Sequence, residues 1–305
     1  TVIFGTTVPV VYLRMEGCLH MKRKIRPAPY LYILLSTFFL VLFIYYPAIK
    51  TMWKSLYVVN AENHPVAFVG LKNYVTLFRD ADFINAIKVT FIYTIITVPC
   101  TILLAYILAL FSAKRRRASS VYELYALPMA VSMSVACVIF RILLNGNLGL
   151  INHVFHLNID WFTDKHYALI SLMIIGIWLD LGMNYLFLLS AVRSVSSEMM
   201  EAASLDGANF IQKATRIITP MVSPTLFYLF CVDVGAALMM SGPVIVLTSG
   251  GPSGATTTMI YYMYRKGFYI FNYGLSYASA VVAFIIGFIV ILIAFLWERK
   301  GVKYT

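Results

Sequence analysis

Six long apolar runs, separated by polar stretches, set the pattern of this chain. They cover residues 27–49, 89–113, 124–140, 167–192, 226–247 and 273–297. A hydrocarbon layer about 30 Å thick is crossed by roughly 17–25 helical residues, and every run meets that length. The pattern predicts an all-α polytopic membrane protein with six transmembrane helices. Charge marks the edges. Lys22, Arg23, Lys24 and Arg26 precede the first run, which has no small-residue cleavage signature and reads as an uncleaved helix. The second run stops at Lys114-Arg115-Arg116-Arg117, the third lies between Glu123 and Arg141, and Glu298-Arg299-Lys300 closes the last. Most of the 24 Lys and Arg fall at the ends that this arrangement places inside, so both termini are expected in the cytoplasm. Residues 1–20 are set aside: the chain does not begin with Met, Met15 or Met21 could be a natural start, and the segment could be upstream sequence. Residues 21–305 are expected to form one transmembrane domain.

One polar island breaks the pattern. Residues 201–224, EAASLDGANFIQKATRIITPMVSP, lie between the fourth and fifth runs. Ser197 is a plausible N-cap, with Glu198 and Glu201 favouring the first turns of a short helix. Asp206-Gly207 supplies a turn, because Gly accepts backbone angles that other residues resist. A second helical run is expected from Ala208 to about Thr219, where Pro220 interrupts it and kinks into the next apolar segment. Phe210, Ala214, Ile217 and Ile218 recur at helical spacing opposite Gln212, Lys213 and Arg216. The product is a helix-turn-helix with one apolar face, too polar for lipid and suited to a partner's groove.

Composition narrows the function classes. The chain is 61% hydrophobic and only 12% charged, which describes a membrane protein. Its net charge of +11 is scattered at the ends of apolar runs, without an aromatic-interleaved groove, so lipid headgroups explain it better than nucleic acid. Cys18, Cys100, Cys137 and Cys231 show no paired spacing and read as small hydrophobes. His153, His156 and His166 have no acids at ligand spacing, so no metal site is expected. There is no G-x-x-x-x-G-K-[ST] phosphate loop, G-x-S-x-G elbow or H-E-x-x-H, which argues against an enzyme.

Glu201-Ala202-Ala203, Gly207 six residues after the Glu, Ile217 and Pro220 resemble the EAA loop of bacterial ABC-importer permeases. The fuller run through Asp206, Gly207 and Ala208 is similar to the carbohydrate-uptake group that includes the maltose and glycerol-3-phosphate permeases. Residues 68–94, 145–166 and 247–258 also resemble external loops of that family. Two positions depart from its pattern, Ala214 where Phe is usual and Thr219 where Leu is usual. The resemblance implies a cytoplasmic coupling-helix loop between helices four and five, formed by Glu201, Ala202, Ala203, Asp206, Gly207, Ala208, Phe210, Ile217 and Pro220. It implies two cytoplasmic ABC ATPase subunits, a second permease subunit in a heterodimer, and an extracellular solute-binding protein. ATP and Mg would be held by the ATPase subunits, and this chain would bind no cofactor. The expected setting is the bacterial inner membrane and its lipid bilayer.

The solute path is read from polar groups inside the apolar runs, which are costly there unless they face protein or a water-filled cavity. Asp180, Asn184 and Tyr185 in helix four and Asp233 in helix five are candidates. Asp180 and Asn184 are one helical turn apart on one face. Leu181-Gly182-Met183-Asn184-Tyr185 resembles a sugar-contacting Leu-Gly-x-x-Tyr of the maltose permease. In helix five, Met239, Met240 and Ser241 stand where that family carries Asn. Helix–helix hydrogen bonding and path lining both remain open for Asp180 and Asp233. Helices four and five offer no basic residue for an anion, so a carbohydrate, an oligosaccharide in particular, is preferred over glycerol-3-phosphate or another phosphodiester. An ion-coupled secondary transporter would leave the central loop unexplained. A lipid-modifying enzyme would need acidic or His clusters that are not found.

Overall fold

A computed structural model describes residues 27–113 and 119–301. The first twenty residues, Cys18, the cations at 22–26 and the run at 114–117 lie outside the described residues. The chain divides into two compact units, residues 1–49 and 50–305. The described part of the first holds α1 (Pro27–Leu40), a π-helical turn (Val41–Tyr45) and the start of α2 (Tyr46–Lys54), which runs on into the second. Residues Tyr32–Lys54 are long and apolar enough to span a bilayer.

After the end of α2 comes a short hairpin, β1 (Tyr57–Val59) and β2 (Pro65–Phe68), which the apolar pattern does not announce. Its antiparallel register pairs Tyr57 with Phe68, with an irregularity between Val58 and Val59. α3 (Lys72–Arg79) comes next, and then α4 (Ala81–Ala113), which begins eight residues before the apolar run at 89. That extra length needs no lipid. Its first residues pack Phe83 and Ala86 against Tyr262, Ala278 and Val282.

α4 packs along α8 (Ala168–Arg193), the most extensive helix–helix contact among the described residues. In lipid, tails are as apolar as Leu, so association rests on close packing and hydrogen bonds rather than on expelling water. The sequence provides for this with small polar residues. Thr90, Thr94, Thr97 and Thr101 are buried, and each hydroxyl donates to the carbonyl four residues earlier. The stripe therefore carries no unmet donor into the interface. At Gly176 a Cβ would lie 2.0 Å from the Tyr93 hydroxyl oxygen, so the glycine is what admits that ring.

The third apolar run is not one helix. α5 (Ser119–Ala130) and α6 (Met133–Leu143) are bent by 116° at a break, correcting the continuous helix expected over 124–140. Near the end of α5, the N–H of Val131 turns to the carbonyl of Pro128. Ser132 is extended, and its side chain caps α6 by accepting from Val135 N. Thus five helices are long and apolar enough to cross a membrane, or six if the bent pair counts as one span, by length and composition among the described residues. After α7 (Leu150–Phe155), the chain enters α8. His153, His156 and His166 are exposed in this connection.

The fifth run also departs from expectation. Instead of one helix over 226–247, α11 (Thr219–Leu238) ends before Met239, and a π-helical turn (Val244–Thr248) comes after the break. Met240 and Ser241 therefore lie in that break, not in a helix. The break is held by Thr258, whose hydroxyl donates to the Met240 carbonyl at 2.8 Å. Buried Thr256, Thr257 and Thr258 lead into α12 (Met259–Tyr264), a π-helical turn (Arg265–Tyr269) and α13 (Tyr273–Gly301). Glu298, Arg299 and Lys300 lie within the last turns of α13 rather than after it. Cys137 is buried, but Cys231 is half-buried and Cys100 exposed, so Cys100 is not the core hydrophobe expected.

Candidate functional site

The polar island folds as a short helix, a tight turn and a second helix. α9 (Ser197–Leu205) is capped by Ser196, whose Oγ accepts from Met199 N at 3.3 Å, so the N-cap lies one residue before the expected Ser197. Gly207 has φ +78°, and the N–H of Ala208 returns to the Ala203 carbonyl at 2.9 Å. A Cβ at Gly207 would meet nothing within 4 Å, so the position requires Gly for backbone angle rather than for space. α10 (Phe210–Lys213) begins behind a reciprocal capping box: Gln212 N donates to Asn209 Oδ1 at 2.9 Å, and Asn209 N donates to Gln212 Oε1 at 2.8 Å. The helix thus starts at Phe210, not at Ala208.

Pro220 does not interrupt the helical path. α10 passes through a π-helical turn (Ala214–Ile218) directly into α11, with Pro220 in its first turn. Ala203, Ala214 and Ile218 are buried, whereas Glu201, Ala202, Asp206, Gly207 and Phe210 are exposed; Ala208, Ile217 and Pro220 are intermediate. Two large apolar side chains outside the expected set are more exposed still, Leu205 at 90% and Ile211 at 70%. Leu205 and Ile211 thus leave apolar surface uncovered on an otherwise polar segment. Their signal is present in the periodicity but is masked by their position beside the turn.

The buried side of this segment joins a continuous apolar cluster. Ala214, Ile218 and Val222 pack with Ala105 and Ala109 of α4 and with Leu188, Leu189 and Tyr185 of α8. Tyr185 is fully buried, with its ring edge-on to Tyr125 of α5 at 5.4 Å between centroids. Gly182 allows α5 this close: a Cβ there would sit 3.1 Å from both the Ala126 carbonyl oxygen and Met129 N.

Beside Tyr185, α8 and α11 present their polar pair. Asn184 is 2% exposed and Asp233 7%. Asn184 Nδ2 donates to Asp233 Oδ1 at 3.2 Å and to the Asp180 carbonyl at 3.0 Å. Asn184 Oδ1 and Asp233 Oδ2 have no hydrogen-bond partner among the described residues. Leaving a buried acceptor unmet costs about 1–3 kcal/mol, and more for a charged group. Each side chain of the pair therefore keeps one buried acceptor oxygen without a partner among the described residues. Asp180 is exposed one turn away, and Leu181 is half-buried. Met240 is buried at the helix-five break, and Ser241 is intermediate beside Gly242, where Met133 packs so closely that a Cβ would be 2.1 Å from its Cε.

At the far end of α4 a polar clamp ties the 259–272 segment down. Tyr262 OH donates to Asp80 Oδ2 at 2.7 Å, Lys266 Nζ lies 3.0 Å from the same oxygen, and Arg265 pairs with Asp82 at 2.7 Å. Burial alone would raise the Asp80 carboxyl, but the hydrogen bonds from Tyr262 and Lys266 outweigh it and hold the group below its ordinary value near 3.8. Burial, and then the Asp80 contact, push the Tyr262 phenol up.

These features define a helical, multi-pass membrane protein with an exposed helix-turn-helix and a buried polar pair between α8 and α11. The chain belongs to the family of binding-protein-dependent transport system inner membrane components, which it matches over residues 79–300. It is 31% identical over 281 residues to the sn-glycerol-3-phosphate transport system permease protein UgpA of Yersinia enterocolitica, covering 90% of this chain and 95% of the relative. The UgpA of Escherichia coli (strain UTI89 / UPEC) is 32% identical over the same length and coverage. A chain of a bacterial alginate ABC transporter, solved with an alginate pentasaccharide-bound periplasmic protein, shares the fold with TM-score 0.78 and 23% identity, over 90% of this chain and 95% of that one. A second structure, of a bacterial ABC transporter involved in the import of the acidic polysaccharide alginate, gives TM-score 0.77 at 23% identity, over 90% and 96%.

Proposed function

We propose that this chain is one of two permease subunits of an ATP-driven importer that brings a carbohydrate into the bacterial cytoplasm by alternating access. The observation that carries the reading is continuity. One apolar cluster runs from Ala214 and Ile218, beneath the exposed face of α9 and α10, to Tyr185 beside the Asn184–Asp233 pair. A push on the helix-turn-helix is thereby delivered through packed side chains to the helices that hold the polar pair. Glu201, Ala202, Asp206, Gly207, Phe210, Leu205 and Ile211 form the face that seats in a cytoplasmic ATPase, which binds ATP and Mg and hydrolyses the nucleotide. An extracellular binding protein delivers the solute to the opposite side. In this orientation the 201–224 loop is cytoplasmic and the Asp80 clamp is external.

Asn184 Oδ1 and Asp233 Oδ2 are the solute's receptors, with Asp180, Tyr185, Met240 and Ser241 as further residues of the path. Both oxygens accept hydrogen bonds, as sugar hydroxyls require, and the Asp180 and Asp233 carboxylates repel an anion. A second reading, import of glycerol-3-phosphate or a phosphodiester, is favoured by the UgpA relatives, and it would need cations from the second permease subunit. The test is co-purification of the full chain with its ATPase, partner permease and binding protein, and then uptake into proteoliposomes. Uptake of an oligosaccharide that excess glycerol-3-phosphate does not compete away supports the first reading. Uptake of glycerol-3-phosphate alone overturns it in favour of the second. A chain that carries solute on an ion gradient without an ATPase overturns both.

A further inference from the structure

The π-helical turn that joins the helix-turn-helix to α11 carries a feature that the coupling reading does not use. A π turn leaves one extra residue in the ladder and loosens it locally, and such turns recur at functional sites. Here the turn closes with Thr219 N bonded to the Ala214 carbonyl. The Thr219 hydroxyl donates to that same carbonyl at 2.8 Å. With its hydrogen committed, Thr219 Oγ1 accepts from Tyr106 OH of α4, also at 2.8 Å. The direct Tyr106 OH to Ala214 O separation of 3.5 Å is too long to add much. Nearby, Phe111 of α4 stacks on Phe210 with centroids 5.7 Å apart. The base of the coupling segment is thus fastened to α4 at two points, a hydroxyl relay within the protein and an aromatic stack at the surface.

We propose that Tyr106 and Thr219 are positioning residues that lock the π turn to α4, so that the coupling segment and α4 move as one body during the ATP cycle. Ala214 is buried and small, which lets the Tyr106 ring reach the turn. Without the relay, the turn can lengthen or shorten by a residue's worth of ladder, and a push on α9 and α10 is absorbed there instead of reaching α4. The proposal rests on the coupling reading above, and the experiment separates the two.

The full complex is assembled in nanodiscs with Cys18, Cys100, Cys137 and Cys231 replaced by Ser, and spin labels are attached through Ser197→Cys, exposed on α9 outside the docking face, and Leu104→Cys. Pulsed electron resonance then reads the 197–104 distance without nucleotide and with MgATP and vanadate. A single narrow distribution, unchanged between the two states, is expected of the otherwise native chain. Tyr106→Phe and Thr219→Val should each broaden it and make it differ between states. Thr219→Ser, which keeps the hydroxyl, should restore it. Equal, narrow distributions in all four chains overturn the lock, as does a distance that already changes with MgATP and vanadate in the native pair. Failure of every form to retain the ATPase overturns the coupling reading itself, and the lock with it.

Discussion

Asp233 and Asn184 show what a single buried polar pair is able to do in a membrane protein. The two are bonded to each other, yet each keeps one buried oxygen unmet, an arrangement that packing alone does not reward. Asp233→Asn preserves the shape while removing the charge. A charge-assisted hydrogen bond is worth about 1.5–3 kcal/mol, which converts to roughly 10–100-fold in solute affinity. Uptake kinetics in proteoliposomes should show that loss with complex assembly intact; unchanged uptake would exclude the pair as a solute receptor. At the outer clamp, the two acidic residues differ in weight. Asp82 is 63% exposed, so its pair with Arg265 contributes little, whereas Asp80 is 23% exposed and accepts from two partners. Its folded pKa is depressed, so its contribution is complete above the unfolded carboxylate range and is lost as pH falls through the folded value. Amide exchange across residues 259–272, corrected for intrinsic rate, should stay constant from neutral pH down to about pH 4 and rise below it. Asp80→Asn should raise it already at neutral pH.

Among the elements, the α9–α10 turn and the α5–α8 contact each depend on one glycine for different reasons. Gly207 is needed for a positive φ, so Gly207→Ala should weaken the turn by about 1 kcal/mol, while Gly207→Pro, which forbids that φ, should abolish it. The expected outcome is normal membrane insertion with loss of ATPase co-purification, graded Ala then Pro; full co-purification in the Pro variant would remove the turn from the docking face. Gly182 is needed for space. Gly182→Val places side-chain atoms against the Ala126 carbonyl and Met129 backbone, and overpacking of this kind costs about 1–3 kcal/mol. A lower unfolding temperature for Gly182→Ala, and a larger fall for Gly182→Val, is the expected result in detergent.

For the whole molecule, the decisive claim is which side each end of the bundle faces. Leu205, exposed at the turn, and Phe68, exposed in β2, lie in segments assigned to opposite sides. In a chain whose four cysteines are replaced by Ser, Leu205→Cys should react with a membrane-impermeant maleimide only in inside-out vesicles, and Phe68→Cys only in right-side-out cells. Reaction of Leu205→Cys from outside would end the importer reading. At this scale, much of the architecture was legible from apolar run length alone, because the bilayer imposes a fixed thickness on every span. The extra turns of α4 were not legible, since they pack on protein rather than lipid and carry no hydropathy signal.

The sequence by itself determined that this is a multi-pass helical membrane protein, and it singled out the polar segment at 201–224, its Asp206-Gly207 turn, and Asn184 and Asp233 as polar groups within apolar runs. Those features are local: run length, a glycine at a turn and ionisable groups within apolar stretches each have a meaning without neighbours. Only the tertiary structure decided that the third run breaks by 116°, that the fifth ends at Leu238, and that Tyr106 meets Thr219. Composition is nearly blind to these, because a bend or a break in lipid is tolerated only where another segment satisfies the freed backbone groups. Thr258 at Met240 does that by a contact between residues remote along the chain, and no periodicity within one helix encodes it.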